Sequence, residues 1–160
     1  WLIKPWYTEF DYYNMKVHGI TKHDVADAPD FKALWPERLE MINGQLLIAH
    51  NASFDVSVLR ATLLRYNLAF PTLDYACSYI FSKNVWPGLP SYNLKSLCTM
   101  NNIDFHHHRA GDDSKATAEL ALRAFAIKEV KTSADFPTKL QNNLGKLFEG
   151  GYSPSRKVKG

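Results

Sequence analysis

The sequence predicts an α/β fold in which short buried strands alternate with helices. Residues Leu46 to Ala49 form a short, continuous apolar run, as expected for a strand that is buried on both faces. A helical segment follows this run to about Tyr66. Residues 73–76 then predict a second strand, and residues 78–85 a second helical segment. This alternation is typical of a sheet with helices packed against it.

The part of the chain before the first strand is expected to contain little regular structure. Residues 2–4 could end a strand, and residues 5–14 are rich in aromatic side chains and include a proline, which predicts a loop. Thr21 and Asp24 have the spacing of a capping box and predict a short helical turn. An amphipathic helix is then expected from Pro29 to about Gly44. Its inward face would consist of Phe31, Leu34, Leu39, Met41 and Ile42.

Helix-capping signals place the later helices. Asn51 or Ser53 could cap the helix that follows the first strand, and Ser91 could cap a helix near residues 92–100. A loop is expected over residues 101–111, and a last helix from about Asp112 through Phe125. Closely spaced alanines in that last helix predict tight packing against a neighbouring element.

Two polar clusters in this pattern carry residue types suited to phosphodiester cleavage. Asp55 would lie in the first turn after the first strand, and Asp113 follows His108 by five residues at the start of the last helix. Hard ions such as Mg²⁺ or Mn²⁺ prefer carboxylate ligands, and two such ions about 4 Å apart can assist phosphodiester hydrolysis. A histidine can take the proton from an attacking water near neutral pH. We therefore expect Asp55 and Asp113 to hold metal and His108 to be the general base of a nuclease.

Each of these residues also has a purely structural explanation. A carboxylate in the first turn of a helix, such as Asp113, is favoured by the exposed amides and the helix dipole without any metal. The run His106, His107 and His108 could be an adventitious transition-metal patch. The shared presence of Asp55, His108 and Asp113 favours the catalytic interpretation, and His106 and His107 are then expected to be solvated loop residues.

The same clusters resemble two motifs of the DnaQ-type proofreading exonucleases, the epsilon-subunit-like branch of the DEDDh 3′-to-5′ exonuclease superfamily. The family's second motif is similar to residues 50–55, and its third, H-x-A-x-x-D, is matched by His108, Ala110 and Asp113. Further similarities occur at residues 2–5, 17–21, 28–29 and 86–91. The resemblance covers about residues 1–127, and it implies an RNase H-like fold with a mixed sheet flanked by helices.

The resemblance also implies residues that contact substrate. His18, in a segment similar to the family's V-H-G-I, would lie against the terminal nucleotide, and Gly19 would let a base or sugar approach the backbone. Asn51 and Phe54 belong to the second motif and are expected to contact substrate as well. Phe54 could stack against a base, or it could be a core residue at the start of its helix. His50 is expected to cap or pack locally.

The family's first motif, D-x-E on the central strand, is not found in this sequence. It would precede the segment at residues 2–5, where this sequence has only Trp1. The segment Glu9-Phe10-Asp11 has the reverse acidic order and is not taken as a substitute. We therefore expect this chain to lack the N-terminal strands of the fold, which a longer protein or another chain would supply. The strand at residues 46–49 should then have one unpaired edge.

Composition and charge limit the remaining possibilities. The chain of 160 residues is 46% hydrophobic, enough for one domain with a core. The net charge of +3 equals the charge of three residues in the tail, Arg156, Lys157 and Lys159, so the remainder of the chain is close to neutral. A nearly neutral domain argues against a large basic groove for duplex DNA. Cys77 and Cys98 have no zinc-site spacing and are expected to be idle thiols. No apolar run approaches the roughly 20 residues of a membrane span, so we expect a cytoplasmic protein without membrane contact.

The sequence thus predicts an exonuclease domain over residues 1–129, N-terminally incomplete, and a C-terminal extension with a basic tail over residues 130–160. In the extension, residues 136–148 are expected to form one more helix, and the tail to be solvated or disordered. The predicted activity is metal-dependent 3′-to-5′ removal of nucleotides from a single-stranded or frayed DNA end, in proofreading or repair, with a polymerase subunit as a candidate partner. Two alternatives stay open: a non-catalytic nucleic-acid-binding or scaffolding domain, and a 3′-to-5′ exoribonuclease.

Overall fold

The computed structural model describes residues 2–7, 9–104 and 110–159. The chain divides into two compact units, Trp1–Met41 and Ile42–Gly160. None of the helices in the described part of the chain combines the length and apolar character that a membrane span requires.

The N-terminal unit contains a helix that starts inside the predicted loop. Helix α1 spans Tyr12–His18, and Asp11 caps it by accepting a hydrogen bond from the Asn14 amide at 2.9 Å. Gly19 ends the helix with a left-handed φ of 72°, a conformation that glycine adopts without strain. The expectation of a loop over residues 5–14 was therefore wrong for residues 12–14, because the Asp11 cap stabilises a helix despite the aromatic composition.

Helix α2, Phe31–Ile42, buries a different residue from those predicted. Trp35 is the buried residue of this helix, and its ring stacks on Phe31 at 5.4 Å between ring centres. Leu34 and Leu39 are half-buried and Met41 is mostly exposed, so the predicted inward face was wrong in part. The larger ring of Trp35 removes more apolar area from water than these side chains do. The predicted turn at Thr21 is present, with hydrogen bonds between Thr21 and the Asp24 carboxylate.

A mixed four-stranded sheet organises the second unit. Its strands are β1, Leu46–Ala49; β2, Leu73–Cys77; β4, Gly145–Phe148; and β5, Gly151–Ser153. The strand order is β1-β2-β4-β5, in which β1 and β2 are parallel and the other neighbours are antiparallel. A separate antiparallel pair joins β3, Asn142–Asn143, to β6, Arg156–Lys157. Within the described residues, β1 pairs with β2 alone, in agreement with the expected unpaired edge.

Helices cover both faces of this sheet. Alternate strand residues, including Leu47, Ala49 and Leu73, pack with helix α3, Ala52–Tyr66. The intervening residues of β1 and β2 pack with helices α4, Ser78–Val85; α6, Ala110–Ile127; and α7, Phe136–Lys139. Helix α5, Leu94–Met100, packs on α6, where buried Ala116 permits close approach, as the alanine spacing predicted. The mixed sheet flanked by helices confirms the predicted fold class.

One expected helix cap has a different residue in the structure, and the other has the expected residue without its capping hydrogen bond. Asn51 occupies the N-cap position of α3, but its side chain forms no capping hydrogen bond. Helix α5 is capped by Asn93, which accepts a hydrogen bond from the Ser96 amide at 2.8 Å, rather than by Ser91. Both N-cap residues are asparagines, and the left-handed φ of 65° at Asn51 is one that asparagine tolerates better than most residues.

The last thirty residues contribute strands to the same unit, and the helix predicted over residues 136–148 was correct at its start and wrong after Lys139. Helix α7 ends at Lys139, and β4 then buries alternate residues, Gly145 and Leu147. Gly145 faces the Tyr75 ring so closely that an added Cβ would overlap it. The basic tail is not a free end either, because Arg156 and Lys157 pair with β3. Residues 130–159 therefore complete the sheet that also carries β1, while the predicted domain boundary at residue 129 stays a prediction.

Buried Asn142 holds this C-terminal segment in place. Its side-chain amide donates hydrogen bonds to Ser155 Oγ at 2.9 Å and to the Arg156 carbonyl at 3.1 Å. Its side-chain oxygen accepts a hydrogen bond from the Cys77 amide at 3.3 Å. A buried polar side chain is stable only when it is hydrogen-bonded in this way. Asn142 therefore links the end of β2 to the β3–β6 pair.

Candidate functional site

A cavity of about 810 Å³ lies at the carboxyl end of β1. Its wall combines the end of β1, the start of α3, α4, the turn before α5 and the start of α6. This is the edge at which α/β sheets commonly bind ligands. The lining residues are Ile48, Ala49, His50, Asn51, Phe54, Asp55, Tyr79, Asn93, Leu94, Ala110, Asp113, Ser114 and Thr117.

Asp55 enters the cavity from the first turn of α3. The side chain is partly open to solvent, yet desolvation by the surrounding protein raises its pKa above the ordinary value of 3.8. A hydrogen bond from its own backbone amide acts in the opposite direction and is the smaller effect. A carboxylate that is partly desolvated in this way gains more from a bound cation than a fully hydrated one does.

Asp113 reaches the same cavity from the first turn of α6. Its side chain is half-buried. Its negative charge also contributes to raising the pKa of the Cys98 thiol to about 11, after the larger effects of burial and of Glu119. The structure therefore brings together the two aspartates that the sequence selected as metal ligands, from helices that are far apart in the chain.

The donor set of the cavity fits a divalent cation in part. Two carboxylates, Asp55 and Asp113, supply the oxygen ligands that Mg²⁺ and Mn²⁺ prefer. Over residues 2–7, 9–104 and 110–159, no group of three or more His, Cys, Asp or Glu side chains is arranged to hold a metal ion. The described residues thus provide part of a ligand set, and the metal roles of the two aspartates stay a prediction.

His50 is a half-buried residue of the cavity wall, bonded through one ring nitrogen. Its Nδ1 lies 2.9 Å from the hydroxyl of Ser78, and that hydroxyl lies 3.4 Å from the Ala49 carbonyl oxygen. Desolvation lowers the pKa of His50 below its ordinary value of 6.5, and the backbone of Tyr92 opposes that effect. His50 is therefore expected to be neutral at physiological pH. It links the end of β1 to the start of α4, in line with the predicted local packing role.

Phe54 and Asn51 both line the cavity, in the positions that the resemblance implied for substrate contact. The Phe54 side chain is 65% exposed, so the alternative that it is a core residue was wrong. An exposed ring next to Asp55 is available for stacking. The Asn51 carbonyl accepts a hydrogen bond from the Phe54 amide at 2.9 Å, which shapes the turn into α3.

The other predicted site residues are not among the described residues that line the cavity. His108 falls outside the described residues, so its role as a base stays a prediction from sequence. His18 and Gly19 belong to the N-terminal unit, where His18 Nδ1 accepts a hydrogen bond from the Ile20 amide at 3.0 Å. Gly19 ends α1, which explains its left-handed backbone.

Sequence reasoning missed several residues of the wall. Ala110, Ser114 and Thr117 share one face of α6 with Asp113, at helical spacings of three and four residues. That periodicity would have identified Ala110 and Thr117 once Asp113 was chosen, and Ser114 follows from its spacing of four from Ala110 and three from Thr117. Tyr79 comes just after the carboxyl end of β2, next to the end of its parallel neighbour β1, and the same rule that selected Asp55 could have selected it.

Comparison with known proteins identifies the family of this chain. An exonuclease family model matches residues 2–121, which is well over half of the 160-residue chain. The matched range includes both cavity aspartates.

Three relatives illustrate the similarity. A PolC-type DNA polymerase III of Caldanaerobacter subterraneus subsp. tengcongensis is 34% identical over 114 residues, which cover 68% of this chain and 8% of the relative. The DNA polymerase III subunit epsilon of Haemophilus influenzae is 37% identical over 93 residues, covering 56% of this chain and 36% of the relative. A PolC-type DNA polymerase III of Streptococcus agalactiae is 27% identical over 145 residues, covering 90% and 10%.

The chain thus spans about a tenth of the PolC-type proteins and about a third of the epsilon subunit. Given the family match over residues 2–121 and these relatives, the chain belongs to the exonuclease family as a DnaQ-type member.

Proposed function

We propose that the complete protein is a divalent-metal-dependent 3′-to-5′ exonuclease that removes nucleotides from single-stranded or frayed DNA ends, in proofreading or repair. The observation that carries the proposal is the meeting of Asp55 and Asp113 in one cavity at the carboxyl end of β1. The relatives support a DNA substrate and a polymerase as partner, since they are subunits or forms of DNA polymerase III.

In this proposal, Asp55 and Asp113 hold the cation or cations, Mg²⁺ or Mn²⁺. A bound divalent cation neutralises the charge that builds on the phosphoryl oxygens during cleavage. The chain's own residues do the rest. Phe54 stacks against the terminal base, Asn51 fixes the turn that carries Asp55, and neutral His50 holds that turn against α4.

His108 takes the proton of the attacking water. This assignment rests on its spacing from Asp113 and on an imidazole's ability to change charge near neutral pH. Within the described residues, the only histidine of the cavity wall is His50, and its lowered pKa makes it a weaker proton acceptor. His108 is therefore the better candidate.

The test is digestion of a 5′-labelled single strand by the full protein with Mg²⁺ or Mn²⁺. A 3′-to-5′ exonuclease produces a ladder of shortened labelled products. We expect Asp113→Asn and His108→Ala to lower the rate, with a loss of about 10²- to 10⁴-fold for the base. Asp112→Asn and His107→Ala are matched controls, because Asp112 is not part of the cavity wall and His107 does not fit the motif spacing.

Either outcome is informative. Unchanged activity in Asp113→Asn or in His108→Ala would refute the catalytic assignment of that residue. A labelled mononucleotide released from the 5′ end would refute the direction of digestion. The same assay with a matched RNA strand distinguishes the exoribonuclease alternative, because the 2′-hydroxyl is the group that such a site must accept.

One observation favours a non-catalytic alternative for the isolated chain. The described residues place only two carboxylates, Asp55 and Asp113, in the cavity, and carboxylate number governs affinity for hard cations. A nucleic-acid-binding or scaffolding domain would then bind such ions weakly. Calorimetric titration that shows two tightly bound Mn²⁺ ions per isolated chain would exclude this alternative.

A further inference from the structure

Tyr79 presents an aromatic ring to the cavity from α4. The residue is 37% exposed and belongs to the cavity wall. Its ring packs nearly perpendicular to the His50 ring, at 5.9 Å and 81°, and to the Tyr92 ring, at 6.4 Å and 80°. Perpendicular contacts with two neighbours restrict the orientation of the ring. The wall therefore contains a second fixed aromatic surface besides Phe54.

Lys83 lies one helical turn beyond Tyr79 on α4. Its ammonium nitrogen is 4.2 Å from the centre of the Tyr79 ring and 5.8 Å from that of Tyr92. The side chain is exposed and is not itself part of the cavity wall. In the described portions of the chain no carboxylate forms an ion pair with it. Its charge is therefore available to an anionic ligand that extends out of the cavity.

Tyr92 supports this arrangement from the loop before α5. Its hydroxyl donates a hydrogen bond to the Trp86 carbonyl at 2.8 Å and accepts one from the Leu89 amide at 3.2 Å. The loop thereby fixes the Tyr92 ring, and Tyr92 in turn contacts Tyr79. The aromatic rings and the cation are thus arranged before any ligand binds, which reduces the entropy cost of binding.

On the basis of the proposed function, we propose that Tyr79 and Lys83 bind the nucleotide on the 5′ side of the one that is removed. Tyr79 stacks against its base, and Lys83 contacts its phosphate. Tyr79 lies in the cavity wall and exposed Lys83 lies outside it, so in this proposal a strand whose last nucleotide lies at Asp55 and Asp113 passes both residues as it leaves the cavity. Aromatic stacking tolerates every base, so this contact suits an enzyme that acts on any sequence.

This contact predicts a preference for substrates longer than one nucleotide. The test compares kcat/KM for an oligothymidylate with kcat/KM for the 4-nitrophenyl ester of thymidine 5′-monophosphate, which has only one nucleotide. For Tyr79→Ala in the full protein, we expect the ratio of the two values to fall about 5- to 150-fold, the worth of one base–aromatic stack. Tyr79→Phe keeps the stacking ring and should preserve the ratio. Tyr152→Ala removes an exposed tyrosine of β5 outside the cavity wall and is the matched control.

Lys83 is tested by the salt dependence of binding. For Lys83→Gln, the slope of log affinity against log salt for labelled oligothymidylate should decrease by about 0.7, the value for one phosphate contact to a single strand. Lys146→Gln, an exposed lysine on β4, is the control and should leave the slope unchanged.

The outcomes separate this inference from the proposed function. An unchanged ratio in Tyr79→Ala, or an equal loss on both substrates, would overturn the inference and leave Tyr79 as a support of the wall. If the wild type cleaves neither substrate, the proposed function fails instead. The Tyr79 contact is then tested by binding alone, from the fluorescence anisotropy of labelled oligothymidylate. Equal affinities of the wild type and Tyr79→Ala would overturn the inference in that case as well.

Discussion

Asp55 and Asp113 lie in the first turns of α3 and α6, and both line the cavity at the end of β1. A structural explanation for either carboxylate alone is its position at a helix N-terminus. That explanation does not require the two helices to begin at the same cavity. Their meeting is what favours a shared cationic ligand over two separate helix caps.

The partly desolvated carboxylate of Asp55 should cost the metal-free protein some stability. Because its folded-state pKa is raised, the stability it contributes is present below the ordinary pKa of 3.8 and is lost as pH rises through the raised value. Asp55→Asn should therefore raise the melting temperature at pH 7 in EDTA, by about 1–2 °C, since substitutions at exposed positions rarely exceed about 0.5 kcal/mol. At pH 3 the gain should disappear. A lower melting temperature at pH 7 would contradict this account.

His50 should make stability depend on pH in the opposite direction. Its pKa is lowered in the folded protein, so the stability it contributes is present above the ordinary value of 6.5 and is lost as pH falls from there through the lowered value. Nuclear magnetic resonance titration of the imidazole should find the neutral form in the majority at pH 6.5. Ser78→Ala removes the hydroxyl bonded to Nδ1 and should cost about 1 kcal/mol in denaturant unfolding. A His50 pKa above 6.5 would show that desolvation does not dominate its titration.

The Cys98 thiol should be unreactive in the folded protein. Burial, with nearby Glu119 and Asp113, raises its pKa to about 11, so almost none of it is thiolate at pH 8. Cys77 is buried as well. Ellman's reagent at pH 8 should therefore detect two thiols only after unfolding. Rapid reaction of Cys98 without unfolding would show that solvent reaches the thiol in the folded chain.

Gly145 should tolerate no side chain. An added Cβ would overlap the Tyr75 ring and the Ser155 amide, so Gly145→Ala must displace β4 or the ring. We expect a loss of about 1–3 kcal/mol in the free energy of unfolding, as for other overpacked cores. Gly111→Ala is the matched control, because its added Cβ in α6 meets no other part of the described residues within 4 Å and alanine favours helices. Equal stability of the two variants would contradict the packing of β4 on β2.

The sequence was sufficient for the part of the fold governed by local signals. Apolar runs and helix periodicity predicted β1, α3, β2 and α4 with nearly correct bounds. The same signals selected Asp55, because ligand sites occur at the carboxyl ends of such strands. These local signals do not predict which strands pair when they are far apart in the sequence. Strand β4 exists because it pairs with β2, some seventy residues earlier, as the register of Leu147 with Leu73 shows.

Two other differences between the predicted and the observed structure arise from individual polar side chains. The helix at Tyr12–His18 is capped by the side chain of Asp11. The aromatic residues around Asp11 favoured the prediction of a loop, so this cap was not recognised. Asn142 fell within the helix predicted over residues 136–148, yet it lies in β3, where it is fully buried and four hydrogen bonds satisfy its side chain. Sequence patterns record hydrophobicity and spacing, and neither of these predicts which polar groups will meet in the folded chain.

The most direct test of the account is to measure Mn²⁺ binding by calorimetry. The full protein is compared with its variants Asp55→Asn, Asp113→Asn and Asp112→Asn. If Asp55 and Asp113 share a cation site, each of their substitutions should weaken Mn²⁺ binding at least about tenfold, which is roughly 1.4 kcal/mol. Asp112→Asn, outside the cavity wall, should bind Mn²⁺ as the wild type does. Wild-type Mn²⁺ affinity in Asp55→Asn and in Asp113→Asn would contradict the account.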